Sequence, residues 1–410
     1  MASGWAAGHD RLAIGPPLRR SRPCLVICAL LVAVLAFATF VQLSLFANMR
    51  LDVAQVFLRA LAQSTILAIV PLTLLWFLDR RERATPLLFA AAFLWGGLIS
   101  TALALPFNTV FFAVVDGWLA LHPMITELLG ADAAMMLAAP ISAPIVEEIA
   151  KAIGVLLIFR LLRPEFETMR DGIVYGALVG IGFNWFEAAL YVAQGYAEYG
   201  VATYGLQLGG RYALFGFGGH ALFTGIFGAF LGIAFQTRRR WLRVLAPIAG
   251  LLLAIVGHML NNAIPLLAAL AGIAAGEPPM QHQPPPDVGF LEAFASHSLM
   301  ELTIFFPFLL IMAIALWRSG VWERRVIREE LAGEVGRAVT PGEYHEIARD
   351  RILRTRRIDR MRRRASAALV NAQHELAFRR RRARDEDYDP ERDLLVLGWR
   401  EEIRRLRPVA

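Results

Sequence analysis

Cysteine is nearly absent from these 410 residues. Only Cys24 and Cys28 occur, four apart at the start of an apolar run. Two thiols cannot build a disulfide framework, and they read as small apolar fillers. Lysine is scarcer still: Lys151 stands alone against 41 arginines. Charged residues make up 19% of the chain beside 57% hydrophobic residues, with a mean hydropathy of +0.49. A soluble domain carries about 25% charge, so a single soluble globule is excluded, as are a disordered chain and a secreted disulfide scaffold. Familiar catalytic spacings are missing too. There is no His-Glu-x-x-His zinc helix, no Gly-x-Ser-x-Gly elbow and no phosphate-binding loop ending in Gly-Lys.

The charge that is present is unevenly placed. Met1 to Trp317 holds 18 basic and 18 acidic residues, whereas Arg318 to Ala410 holds 24 arginines and 17 acids, so the tail carries the net +7. Crossing about 30 Å of hydrocarbon takes roughly 20 apolar residues. Eight stretches qualify, near 24–47, 54–78, 86–115, 134–162, 172–194, 211–236, 244–272 and 297–317. The first is too long for a signal-peptide core and reads as a retained anchor. The third and fourth are long enough to tilt, or to break at Pro106, Pro140 and Pro144.

Arginines alternate between the connecting loops. One side holds Arg80, Arg81 and Arg83, then Arg163 and Arg170, then Arg238, Arg239, Arg240 and Arg243. The other holds only Arg50 and Arg211. The positive-inside rule then puts both termini in the cytoplasm of a cell membrane, a parity that eight spans require. The expected fold is an all-α, polytopic membrane helix bundle of about eight transmembrane helices. It follows a cytoplasmic N-terminus over 1–23, occupies 24–317, and precedes a helical Arg-rich cytoplasmic tail over 318–410. Pro-rich residues between Gly276 and Phe290 read as an external loop. In the tail, Thr340-Pro341-Gly342-Glu343 is a capping-box pattern. Arg379–Arg382 is interleaved with acids and reads as a solvated face or a contact with lipid headgroups; nucleic acid is not expected. The Arg and Ala bias is consistent with a bacterial source.

Ionisable groups deep in a bilayer are costly and usually functional. Here the fourth span carries Glu147, Glu148 and Lys151, the fifth Glu187, the sixth His220, and the seventh His258 with Asn261 and Asn262. His297 and Glu301 lie nearer the outer end of the eighth. At 1.5 Å per residue, Glu147, Glu187 and His258 each lie about 22 Å from the inner face, and His220 about 13 Å below the outer one. Four helices thus bring acid, acid, imidazole and imidazole to one layer in the outer half. Lys151 sits at i+4 from Glu147 and i+3 from Glu148, within reach of either. One glutamate can serve as a base while the other stays protonated or paired with Lys151; the same residues would also make a structural ion pair. No serine or cysteine in the layer has a base beside it, so a covalent nucleophile is not expected. Carboxylates and imidazoles suit water activation, and His258 with Asn262 suits an oxyanion. The chemistry is amide hydrolysis inside the membrane. Two histidines and up to three glutamates could bind zinc, but no ligand pair has dedicated spacing, so no cofactor is expected.

Glu147-Glu148-Ile149-Ala150-Lys151 is similar to the Glu-Glu-x-x-Lys motif of the PrsW family of intramembrane glutamic proteases. Asp171-Gly172-Ile173-Val174-Tyr175-Gly176, continuing to Glu187, resembles that family's second motif. His220 in a Gly-rich helix and His258-Met259-Leu260-Asn261-Asn262 resemble the third and fourth. The likeness covers about 85–275; a more distant one runs to CAAX prenyl-endopeptidases and bacteriocin-processing membrane proteins. It implies regulated cleavage of single-span membrane proteins, such as anti-sigma factors, near the extracytoplasmic side. Its catalytic residues carry over as Glu147, Glu148, Glu187, His220, His258 and Asn262, supported by Lys151. One departure stands out: the family has Asn after the second-motif glutamate and this chain has Ala188, so Asn184 one turn earlier is its substitute. Two other readings compete. A proton-coupled transporter also uses buried carboxylates and imidazoles, though no internal repeat is visible. A non-catalytic membrane scaffold would use the polar layer for packing alone.

Overall fold

The computed structural model describes residues 33–34, 36–42, 44, 47–79, 86–130, 132–161, 168–237, 239–278, 286–349 and 363–407. Residues 24–32 of the expected first span, with Cys24 and Cys28, residues 279–285 of the Pro-rich loop, and loop arginines such as Arg80, Arg163 and Arg238 lie outside these residues; what is described of residues 33–47 is helical. The described chain is all-helical. In order it forms α1 (Leu51–Leu78), α2 (Pro86–Leu94), a π-helical turn (Trp95–Ser100), α3 (Thr101–Ala120), α4 (Pro123–Leu129), α5 (Ala133–Ala138), α6 (Ser142–Leu161) and α7 (Met169–Tyr199). Then come α8 (Tyr204–Arg211), α9 (Ala213–Gly216), α10 (His220–Gln236), α11 (Arg240–Ala274), α12 (Phe290–Ile304), α13 (Phe306–Ala332), α14 (Pro341–Ala348), α15 (Arg363–Asp385) and α16 (Leu394–Leu406).

Six helical stretches are long and apolar enough to cross a membrane: Leu51–Leu78, Leu88–Ala120, Met169–Tyr199, Ala213–Gln236, Arg240–Ala274 and Phe306–Ala332. The chain is therefore a multi-pass membrane protein with six such spans among the described residues; much of the expected first span lies outside them, and the expected fourth and eighth differ. The expected fourth span divides. α5 ends at Ala138, a turn crosses Pro140, and α6 carries Glu147, Glu148, Lys151 and Arg160, too many charges for an ordinary span. The expected eighth breaks at Phe305, between α12 and α13. Pro106 does not break its helix. The irregular turn lies earlier, at Trp95–Ser100, where Gly96 and Gly97 press against α7: a Cβ on Gly96 would lie 1.8 Å from the Val179 carbonyl oxygen.

α7 is the central post, buried along most of its length, while α1 and α11 expose apolar faces as lipid-facing helices do. A capping box opens α7: Thr168 Oγ1 accepts the Asp171 N–H at 3.2 Å, and Asp171 Oδ2 accepts the Thr168 N–H at 2.6 Å. Asp171, which opens the second family-like motif, is thus a cap. α7 and α10 meet backbone to backbone through glycine. A Cβ on Gly228 would lie 1.8 Å from the Gly172 carbonyl oxygen, and one on Gly180 would lie 2.4 Å from that of His220. This approach fixes His220 opposite Glu187.

Beyond the membrane, α13 continues into a second core with α14, α15 and α16, built on Val326, Ile327, Leu331, Leu369, Leu376, Phe378, Val396 and Ile403. Thr340 and Glu343 close the expected capping box at the start of α14. The run Arg379–Arg382 is not simply a solvated or lipid-facing surface. Arg380 is buried in ion pairs with Glu330, Glu334 and Glu391, and Arg379 pairs with Asp393.

Candidate active site

Glu147, Glu148, Lys151, Asn184, Glu187, His220 and His258 are all buried, and they converge from α6, α7, α10 and α11. Lys151 is the hub. It is 0% exposed, lies 3.7 Å from the Phe183 ring centroid, and donates to Glu148 Oε1 at 2.8 Å, Glu147 Oε2 at 3.4 Å and His220 Nδ1 at 2.7 Å. A compact ammonium with three donors fits this space; a planar guanidinium does not. That is the physical reason a chain written in arginine has its lysine here.

Each acid has its own surroundings. Glu148 is fully engaged: Oε1 also accepts from His258 Nδ1 at 3.1 Å, and Oε2 accepts from Thr224 Oγ1 at 2.9 Å. Glu147 Oε1 accepts from Asn108 Nδ2 at 3.2 Å, and Ser142 Oγ holds Asn108 Oδ1 at 2.7 Å. Glu147 Oε2 lies 3.9 Å from His258 Nε2. Glu187 Oε2 pairs with Arg211 Nη1 and accepts from His220 Nε2 at 2.9 Å. The two imidazoles stand edge to face with centroids 4.6 Å apart.

The remaining expected residues sit at the margin. Asn262 Nδ2 donates to the Ala139 carbonyl at 3.1 Å and lies 3.3 Å from His258 Nε2, so its amide holds the turn before α6. Asn184 Nδ2 reaches the Arg211 carbonyl at 3.5 Å and supports the end of α8 rather than a carboxylate. Arg211, Asn108, Thr224 and Ser142 were not among the expected site residues. Arg211 had counted only as a loop charge, and the others are small polar residues in apolar runs, with nothing in their spacing to mark them.

A cavity of about 330 Å³ opens on this layer. Glu187, Arg211, His220, His258, Asn262 and Glu301 are among its walls. Just before His220 the chain makes a knot of left-handed backbone, with φ +50° at Leu214, +58° at Phe215, +82° at Gly216 and +52° at Gly219. Two non-glycine residues in that region are strained, and the knot sets His220 as the first residue of α10, facing the cavity.

Residues 84–283 match the family model described as PrsW family intramembrane metalloprotease. Residues 84–283 form a PrsW family intramembrane protease domain. No curated protein and no solved structure matches the chain. The PrsW description corrects two expectations, that the enzyme is of the glutamic type and that it needs no cofactor. Glu147, His220 and His258 each offer a ligand atom, all within 4.8 Å of one another and all buried. Glu with two His is a catalytic zinc set. The three donors come from three helices, so no local motif announces them.

The surroundings fit a cation. The buried layer holds the carboxylates Glu147, Glu148 and Glu187 against only two fixed cations, Lys151 and Arg211. Acidic groups outnumber the fixed cations there, and buried charge is costly unless compensated. The Glu148 bond to His258 Nδ1 leaves Nε2 turned toward Glu147, the carboxylate–histidine arrangement that orients metal ligands.

Proposed function

We propose that this PrsW family protease is a metal-dependent endopeptidase that cuts a membrane-protein substrate, single-span and of the anti-sigma-factor kind, within the bilayer. The observation that carries this is the buried Glu147–His220–His258 group, whose two histidines line a cavity among the helices. Glu147, His220 and His258 would hold the metal. Bound there, zinc supplies Lewis acidity and a nucleophilic water near neutral pH.

The other residues position these ligands and handle protons. Asn108, held by Ser142, fixes the Glu147 carboxylate through Oε1. Glu148 orients His258 and is itself fixed by Thr224. Lys151, bonded to Glu148 at 2.8 Å and to His220 Nδ1 at 2.7 Å, would hold both side chains in register and balance the Glu148 charge. Glu187 lines the cavity with one oxygen engaged by Arg211 and His220, and its other oxygen is placed to take a proton from the attacking water. Arg211 Nε is a buried donor without an acceptor at the same wall, suited to a developing oxyanion. The alternation of arginines between loops supports both termini facing the cytoplasm, with the layer in the outer half of the membrane.

The test is reconstitution of the full chain with tagged single-span proteins. Fragments should form with the wild type, vanish with Glu147→Gln or His258→Ala at equal protein abundance, vanish with a zinc chelator, and return on adding zinc. Cleavage that survives both chelation and Glu147→Gln would overturn the reading.

A further inference from the structure

The cavity has one acid that neither the metal set nor the proton path uses. Glu301 lies on α12, beyond the 84–283 match, and is 5% exposed. Its Oε1 accepts the Gly219 N–H at 3.0 Å, while Oε2 is buried without a partner. The chain is shaped to admit this carboxyl. A Cβ on Gly218 would lie 2.9 Å from Glu301 Cδ, and Gly219 adopts φ +52° to turn its N–H toward it. Among the described residues no ion pair engages it. Lys151 is held by Glu147 and Glu148, and Arg211 by Glu187. A carboxyl with one open oxygen in a water-poor site is costly to leave unmatched.

A second observation bears on what would match it. The segments at the same end of the bundle carry Asp52, Asp116, Glu127, Asp132, Glu198, Glu277, Asp287 and Glu292, against Arg50, Arg59 and Arg211. α4 packs beside α11, and α8 beside α12, and α8, α11 and α12 all line the cavity. An excess of acids at that end attracts chain segments of the opposite sign.

We propose that Glu301 selects the substrate, receiving the side chain of a lysine or arginine that flanks the scissile bond. This rests on the protease reading above. The incoming cation bonds Oε2 while Gly219 keeps Oε1 in place, and the excess of acids at that end gathers the basic segment beforehand.

The experiment uses zinc-loaded full-length protein in liposomes and a single-span reporter. Each position around the mapped cut is replaced in turn by Lys, Arg, Gln or Glu, and the quantity read is the ratio of kcat/KM for the Lys and Gln reporters within each variant. Partial loss of folding cancels in that ratio. At one position the wild type should favour Lys and Arg by about tenfold or more. Glu301→Gln should bring the ratio to near one, and Glu301→Lys should shift preference to the Glu reporter. A wild-type ratio near one at every position, or the wild-type ratio kept by both variants, would overturn the assignment alone. Absence of any fragment dependent on Glu147 would overturn the protease reading and this assignment together.

Discussion

Glu148 Oε1 lies 3.1 Å from His258 Nδ1, and this contact decides which imidazole nitrogen faces Glu147. The first glutamate of the pair touches the histidine's outer nitrogen and the second holds its inner one, so neighbouring acids on one helix have different tasks. Glu148→Gln keeps the shape but removes the charge that orients His258 and balances Lys151. Losses of such supporting carboxylates typically cost about 10–100-fold in metal affinity or activity. Zinc bound per purified chain and the cleavage rate should both fall by that order. Wild-type zinc content in the variant would show that Glu148 does not act through the metal.

Lys151 separates a catalytic cluster from a merely structural ion pair. Lys151→Met leaves Glu148 buried without its cation, and breaking a buried pair in this way costs about 3–5 kcal/mol. A large drop in thermal stability in detergent is expected. Lys151→Met with Glu148→Gln should recover much of that stability because both charges are gone, a coupling that a double-mutant cycle reads directly. Cleavage should stay absent in the double variant. Recovery of cleavage along with stability would mean the pair only holds the bundle together.

Much of this site was legible in the sequence through depth alone. Counting residues from the expected span boundaries brings Glu147, Glu187, His220 and His258 to one layer, and helix geometry makes that count informative. The long apolar runs also marked helices such as Met169–Tyr199 and Arg240–Ala274. Most of what escaped had no local signature. The ligand set spans three helices, so no spacing rule identifies it. Two local signals were there but went unread: Pro307 follows the break at Phe305, and Gly96 and Gly97 lie in the turn at Trp95–Ser100. Arg211 and Glu301 acquire their roles only when α8 and α12 fold over the cavity.

The α7–α10 contact yields a test that touches no polar group. Gly180 and Gly228 face carbonyl oxygens of the opposite helix, so any side chain drives the helices apart. Displacement of reacting groups by about 1 Å can cost about 10²-fold in rate. Gly180→Val, which pushes on His220 itself, should lower cleavage by that order or more. Gly117→Ala, where a Cβ meets nothing within 4 Å, should leave the rate unchanged. Equal activity of the two variants would contradict the close approach.

In the tail, acid sensitivity should track Glu391. Hydrogen bonds from Arg400, with further help from Arg337 and Arg380, hold its carboxyl down from 4.5 to about 2 against a smaller opposing effect of burial. A carboxyl depressed on folding adds stability that is fully present above its unfolded value and is lost as the pH falls through the folded one. The tail should therefore weaken between about pH 4.5 and pH 2. Glu391 is 41% exposed along its side chain, so solvent screens part of the effect. Glu334, fully buried beneath it with Arg380 and Arg400, keeps the network's centre intact when Glu391 is neutral. Trp322 and Trp399 pack against this core and report on it by fluorescence in the full chain. Glu391→Gln should be less stable than wild type at pH 7, and the difference should shrink as the pH is lowered through that window. A difference that stays constant with pH would mean the Arg400 contact stabilises through shape rather than charge.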